Sequence, residues 1–459
     1  MSDGRFQRIH FVGVGGAGLS ALARLTLLMG YRASGSDRQR TPFVDELEAV
    51  GLAFQEGHEP DLVRQADLVV ASSAIGPGNA EMAWAAGAGV PVWKRHQFLP
   101  WLAEGKRVIA VAGTHGKTTI TALLAHVLTA TGRDPTCVIG GMALGLGLCQ
   151  WGTNARLGGS DLFVLEADEY DRTFLGLRPW LGLVTSIEMD HPDCYASMRE
   201  LTGAFSQFAQ ASERVLAGAD DERVRLATAG VGRLQTYGWH REAEWRLLSW
   251  GARPDGCALR FSDPIGAEHQ GWVPLWGVHS VSNALAAVAA ASAVGVDVDE
   301  ATSAVRDFKG VARRFTVSGP YAGVHLIDDY AHHPSQIAAN VSAARQRFPG
   351  ARVVVVFQPH TFSRLAVLRD EFVAALRLAD YSCILPVYGA REQGDARAVA
   401  AELAWAVGAE ALPPPAQAAD VVLSRLRAGD VVLNLGAGDG EKLSQALAVG
   451  LRETEAARG

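Results

Sequence analysis

The chain has 459 residues, with 42 Lys and Arg against 49 Asp and Glu for a net charge of −7. This balance excludes a scaffold that neutralises long runs of nucleic-acid phosphate but leaves room for a local phosphate pocket. Hydrophobic residues make up 48% and charged residues 20%, which excludes a disordered chain, and no apolar run reaches the roughly 18 to 20 residues that span a bilayer.

At roughly 150 residues per domain the length predicts about three domains. The N-terminus, Met1-Ser2-Asp3-Gly4-Arg5, leads into a short apolar strand without the hydrophobic region or small-residue cleavage site of a signal peptide, so a cytoplasmic location without membrane insertion is expected. Cys137, Cys149, Cys194, Cys257 and Cys383 are scattered with no CxxC pair, the usage of reduced thiols and not of a disulfide framework or zinc knuckle.

The first predicted α/β unit is a strand over 8–14, the turn Gly13-Val14-Gly15-Gly16-Ala17-Gly18 and a helix through Met29. Asp37 ends the next strand, at the distance where an acid often meets a ribose hydroxyl. The pattern fits NAD, a UDP-linked substrate or a plain tight strand-helix turn.

The second unit carries the strongest local signal. A strand over 107–112 runs into Gly113-Thr114-His115-Gly116-Lys117-Thr118-Thr119 and a helix to about 131. Such a loop points backbone N–H groups at a polyphosphate, the helix N-terminus adds its positive end, Lys117 reaches the terminal phosphates and Thr118 ligates Mg²⁺. Val111 stands where the full GxxxxGK[ST] pattern has its first glycine, and Lys117 is the only lysine between Lys106 and Lys309. Strands over 161–165 and 183–187 then end in Glu166-Ala167-Asp168-Glu169 and Glu188-Met189-Asp190-His191. Carboxyl ends of parallel strands face the phosphate loop, so both clusters fall where Mg²⁺ would sit. The Trp- and Gly-rich stretch 233–273 predicts a few antiparallel strands. His279 and Asn283, four apart on one helix, read from spacing alone as capping and packing residues.

A third unit has strands over 324–327, 353–357, 383–387 and 431–435. Two of these ends offer Asp328-Asp329-Tyr330-Ala331-His332-His333-Pro334 and, through Gln358-Pro359, His360 and Arg364. Adjacent histidines on an extended chain point to opposite faces, so His332 and His333 are not expected to share a metal. A polar glycine break near 102–105 and the residues Arg314-Phe315 divide the chain into 1–103, 104–315 and 316–459.

In this order the motifs resemble the Mur ligase family, the ATP-dependent amide-bond ligases of peptidoglycan precursor synthesis. The stretches that carry the likeness are Ile9 to Ser20 (IHFVGVGGAGLS), Ser34 to Asp37 (SGSD), Ser72 to Ile75 (SSAI), Ala112 to Thr119 (AGTHGKTT) and Gly152 to Gly158 (GTNARLG). Glu166 to Asp171 (EADEYD), Asp190-His191, Gly310 to Phe315 (GVARRF), Asp328 to Pro334 (DDYAHHP), Phe357 to Arg364 (FQPHTFSR) and Gly436 to Asp439 (GAGD) continue it. The resemblance implies a three-domain α/β fold: a Rossmann-like N-terminal UDP-binding domain, a central P-loop ATPase-like domain and a Rossmann-like C-terminal domain for the amino acid.

By the same resemblance Gly15, Gly16, Ala17, Gly18, Asp37 and Ser73 would bind the UDP-sugar, displacing the NAD reading. Gly113, Thr114, His115, Gly116, Lys117, Thr118, Thr119, Asn283, Arg314 and Asp329 would bind ATP. Thr118, Glu166 and His191 would serve Mg²⁺ or Mn²⁺. Lys117, His191, His333 and Arg364 would be catalytic, the last two near the reacting carboxylate and the amino-acid carboxylate. The branch implied joins L-alanine to UDP-N-acetylmuramate through an acyl phosphate. Two departures stand out. Ser280 replaces the first Asn of the His-Asn-x-x-Asn that relatives often carry at the adenine, and the helix around 197–211 has no lysine for the carbamate of later-step relatives. A recycling ligase that attaches a tripeptide typically shows a Gly-x-Cys-Gly-Thr-type first loop, unlike Gly15-Gly16-Ala17-Gly18. A non-catalytic UDP-sugar or NAD sensor would leave Lys117, Glu166 and His191 idle.

Overall fold

The computed structural model describes residues 6–76, 78–146 and 153–457. Cys149, Gly152 and the first five residues lie outside these. Among the described residues three sheets follow one another along the chain. The first is all parallel, built from Arg8–Val12, Arg32–Asp37, Ala53–Glu56, Leu68–Ala71 and Val92–Lys94, with Arg8–Val12 at its centre between Arg32–Asp37 and Leu68–Ala71. Successive connections leave that central strand in opposite directions, so the crevice beyond its carboxyl end is a topological switch point, the place where doubly wound sheets bind ligands. The glycine loop after Val12 and Ser72-Ser73 after Ala71 both open there.

Among the described residues the central sheet has ten strands. Arg107–Ala112 lies between Leu162–Glu166 and Leu181–Val184, both parallel to it. Of the stretch 233–273, Leu234–Gly238 pairs parallel with its neighbour, and only Trp245–Arg253, Gly256–Ser262 and Glu268–Val273 form the expected antiparallel run. The third sheet has six strands, with Val324–Asp329 and Val353–Phe357 flanking Val431–Leu435.

Predicted and observed strand ends differ for definable reasons. The first strand stops at Val12 because Gly13, at φ +86°, turns the chain. The strand predicted over 183–187 is Leu181–Val184, since Thr185 and Ser186 bend to bond the phosphate loop. The strand predicted over 383–387 is Tyr381–Ile384, as Pro386 supplies no ladder N–H.

Packing separates the domains into two classes of contact. A single apolar core runs from Phe11, Phe98 and Leu102 of the N-terminal unit to Phe163, Phe174 and Phe205 of the central one. The C-terminal unit fills its own two cores, on either face of its sheet. Apolar fusion resists opening while a polar contact is easily remade, so domain motion is expected at the C-terminal unit. Among the described residues no helix is long and apolar enough to cross a membrane, and Cys137, Cys194, Cys257 and Cys383 are free.

Candidate active site

The phosphate loop is built by strand geometry and by one glycine without alternative. Gly113 sits at φ +128°, and a Cβ there would come within 1.9 Å of Thr185 Oγ1. Thr114 N donates to Ser186 O at 2.7 Å and Thr185 Oγ1 donates to His115 O at 2.5 Å, tying the loop to the neighbouring strand end. The helix Lys117–Ala130 starts at the loop, leaving its first N–H groups without intrahelical partners.

Lys117 bends back over the loop. Its Nζ donates to Gly113 O at 2.6 Å and to both Glu169 carboxylate oxygens at 3.0 and 2.8 Å. Burial opposes the ammonium, but the Glu169, Asp168 and Glu166 carboxylates outweigh it and hold Lys117 above the ordinary lysine range. Thr118 Oγ1 donates to Glu166 Oε1 at 3.2 Å and accepts from Arg314 Nη2 at 3.2 Å, while Gly140 N fixes the other Glu166 oxygen at 2.8 Å. His191 stands with Asp168 and Glu169, their ligand atoms all within 4.8 Å of one another. Thr118 and Glu166 are thus in direct contact, and His191 belongs to a second cluster.

Below the loop a cavity of about 870 Å³ is lined by His115, Gly116, Thr119, His279, Asn283 and Arg314 from the central side and by Asp329, Ser335 and Gln336 from the C-terminal side. His279 and Asn283 therefore face a ligand-sized space, which replaces the capping and packing that their spacing predicted; a Cβ on Gly116 would lie 2.8 Å from Asn283 Oδ1. Ser280 spends its hydroxyl on Trp276 O at 2.8 Å. Asp329 accepts from Phe315 N at 2.6 Å and Ala331 N at 2.8 Å, and burial lifts its carboxyl above the ordinary range.

The C-terminal unit docks on this loop through polar groups. Ser335 Oγ donates to Glu188 Oε2 at 2.9 Å, and Gln336 joins His115 Nδ1 at 3.1 Å. His333 and His115 rings lie 5.0 Å apart, whereas His332 faces His360 at 5.8 Å, so the adjacent histidines diverge as predicted. Arg364, 3% exposed, puts Nε and Nη2 on Asp190 Oδ1 at 2.8 and 2.6 Å and Nη1 on His360 O at 3.1 Å. The carboxylate that Arg364 holds here is the protein's own. Burial pushes the Asp190 carboxyl up, but His191 and then Arg364 outweigh it and keep it far below the usual carboxylate range.

Burial pushes Glu188 up, yet His115, His333 and Ser335 together bring it down to about 2 from an ordinary 4.5. A carboxyl depressed in this way stabilises the docked state above its ordinary value, and the contribution is lost as pH falls toward the depressed one. The melting-temperature difference between the parent protein and Glu188→Gln is expected to be full near about pH 5 and to shrink toward about pH 3. A difference that is flat or grows with acid would show that Glu188 does not anchor the contact.

In the N-terminal unit Gly15 N donates to Asp37 Oδ2 at 2.8 Å, so Asp37 organises the loop itself. Gly16, Ala17 and Gly18 start the helix Ala17–Leu28, and Ser73 Oγ bonds Asp171 Oδ2 at 2.8 Å across to the central unit. Sequence reasoning missed Arg95, whose guanidinium lies 3.6 Å from Asp168 and beside Gly18, bridging the first glycine loop and the acidic segment that follows Leu162–Glu166. It also missed Ser335 and Gln336. A glutamine three residues after His333, ahead of a helix, is a capping signature that marks them.

Comparison with known proteins agrees with this geometry. Residues 8–107, 111–291 and 313–438 match the family models described as the Mur ligase family catalytic domain, the Mur ligase middle domain and the Mur ligase glutamate ligase domain. The chain is 40% identical to a UDP-N-acetylmuramate--L-alanine ligase of Roseiflexus sp. (strain RS-1), covering 97% of this chain and 99% of that one. The solved UDP-N-acetylmuramate-alanine ligase of Thermotoga maritima superposes with a TM-score of 0.83 at 28% identity, covering 97% and 99%. A murein peptide ligase of Psychrobacter arcticus 273-4 gives 0.76 at 25% over the same shares. With a relative this similar along nearly its whole length, and all three family models matched in order, the chain belongs to the Mur ligase family.

Proposed function

We propose that the protein joins L-alanine to the carboxylate of UDP-N-acetylmuramate at the expense of ATP, in the cytoplasmic assembly of peptidoglycan precursors. The observation that carries this reading is Arg314 meeting Thr118 of the phosphate loop over a cavity walled by two domains, in a chain so similar to ligases of that name.

An amide cannot form directly from a carboxylate, because an oxide ion is a very poor leaving group. Transfer of the ATP γ-phosphoryl group to a carboxylate oxygen makes an acyl phosphate and releases ADP. The L-alanine amine attacks the carbonyl carbon, loses a proton, and phosphate departs with the activated oxygen. Lys117 and Arg314 offset charge on the transferring group, work that is mainly electrostatic positioning. Gly113 to Thr119 would cradle the phosphates, Asn283 would face the base, and Asp329 would hold the domain crossing next to them. The hydroxyl of Thr118 and carboxylate of Glu166 are hard oxygen donors suited to Mg²⁺ or Mn²⁺, and Asp168, Glu169 and His191 would hold a second ion. The metal would supply neutralisation of phosphate charge. Gly15 to Gly18, Asp37 and Ser73 would take the UDP-sugar, and His333 and Arg364 would close over the reacting carboxylate and the amino acid.

Purified protein mixed with UDP-N-acetylmuramate, ATP, Mg²⁺ and L-alanine is expected to release phosphate only when all four are present. Acceptance of a tripeptide with rejection of L-alanine would make the protein a recycling ligase instead.

A further inference from the structure

Beneath the first glycine loop lies a buried polar network that the reaction does not use. His10 and Ser34 are register partners on adjacent strands, as are Val12 and Ser36, so His10, Ser34 and Ser36 project to one face of the sheet. Glu81, from the helix Ala80–Ala88, meets them there. Its Oε1 bonds His10 Nε2 at 2.9 Å, and its Oε2 accepts from Ser36 Oγ at 2.5 Å and bonds His58 Nδ1 at 2.9 Å. His10 Nδ1 completes the chain on Ser34 Oγ at 2.8 Å. His10, Ser36 and Glu81 are all fully buried.

A buried carboxylate is costly unless its lone pairs are satisfied, and here three donors converge on one. Burial pushes the Glu81 carboxyl up, but the bonds from His10, Ser36 and His58 outweigh it and leave it below the ordinary range. His58 Nε2 is buried without a partner. A bare lone pair there is cheaper than a stranded N–H, so the bonding assigns the proton to Nδ1, facing Glu81.

The link to the loop runs through Ser36. Its carbonyl accepts from Gly13 N at 2.8 Å and Val14 N at 3.0 Å, and the next residue, Asp37, accepts from Gly15 N. Three consecutive loop amides therefore hang on two residues, the first of which is clamped by Glu81. We propose that Glu81 is a positioning residue for UDP-sugar binding, setting the glycine loop through the Ser36 hydroxyl. The proposal rests on the loop being the UDP-sugar site, and its test separates the two ideas.

Three full-length variants suffice: Glu81→Gln, Ser36→Ala and Ser34→Ala. Ser36→Ala cuts the link between Glu81 and the loop, together with the Ser36 Oγ contact to His58 Nδ1 at 3.1 Å, and Ser34→Ala removes an equal hydroxyl from the same face while leaving that link in place. Hydrogen exchange of the Gly13, Val14 and Gly15 amides, read without ligand, is expected to quicken about tenfold in the first two variants and to stay at the parent rate in the third. The KM for UDP-N-acetylmuramate is expected to rise by about tenfold in the same two, with the ATP KM and kcat within about twofold of the parent. Equal effects of Ser34→Ala and Ser36→Ala, or a parallel rise in both nucleotide KM values, would reduce the network to plain structural support and overturn the proposal. Quickened exchange in a protein whose parent binds no UDP-sugar would uphold the positioning role and refute the ligand instead. Should Glu81→Gln not fold, Ser36→Ala against Ser34→Ala decides the matter alone.

Discussion

Lys117→Ala is expected to lower turnover by about 10²- to 10³-fold or more while leaving UDP-sugar affinity within about twofold. The lysine lies on the central sheet's loop and the first glycine loop on another sheet, so the two nucleotides would answer to different residues. The variant also has a stability cost that is separable from the chemistry. Lys117 is the cation on Glu169, which is 1% exposed, and stripping the partner from a buried ion costs about 3 to 5 kcal/mol. The double variant Lys117→Met with Glu169→Gln removes both charges and is expected to recover most of the melting temperature with none of the activity. Equal loss of UDP-sugar affinity in Lys117→Ala, seen by calorimetry, would contradict a two-site enzyme.

Arg364 is the second position of large effect. It joins the C-terminal unit to Asp190 of the central one, and both partners are buried. Arg364→Ala is therefore expected to weaken docking by about 3 to 5 kcal/mol, to raise the radius of gyration of the ligand-free protein in solution scattering, and to suppress turnover, because an acyl phosphate left open to water hydrolyses. Arg364→Lys keeps the charge but cannot place two N–H groups on one carboxylate while a third holds His360. Its L-alanine requirement is expected to rise about tenfold, with ATP and UDP-sugar KM values close to the parent. An unchanged L-alanine dependence would leave Arg364 as an anchor between domains and remove it from the amino-acid site.

What was legible in the sequence follows a physical divide. Thr118 and Glu166 were readable because each is fixed by its own strand end, and parallel strands deliver their carboxyl ends to one side. The same reasoning would put the ends of the strands Val324–Asp329 and Val353–Phe357 at one crevice; His332 and His360 do meet, with rings 5.8 Å apart, but Asp329 lines the cavity whereas Arg364 lies on Asp190. The partners were not readable. Asp190 and Arg364 are 174 residues apart and Arg314 and Thr118 are 196 apart, and which carboxylate meets which guanidinium depends on how one sheet seats upon another. Local periodicity carries no information about that angle. Asn283 illustrates the converse: its helix was plain, but the cavity it faces exists only once Gly116 and the C-terminal unit are in place. Predicted strand ends erred where a loop bond competed with the ladder, as at Thr185.

The crossing between the central and C-terminal units also bears on how the cycle turns over. Arg313 and Phe315 sit at φ +57° and +52°, the left-handed region, close after Gly310 at +91°. For side-chain-bearing residues that conformation costs on the order of 1 to 3 kcal/mol each. It is held by tertiary bonds, from Phe315 N to Asp329 and from Arg313 Nη2 to Gly436 O at 2.7 Å. A motion that breaks these bonds would free both residues from that conformation, so the crossing is where the chain is expected to bend if the C-terminal unit lifts. The docked arrangement is thereby expected to be shallower than its buried ion pairs alone would make it, over a cavity whose walls come from both sides.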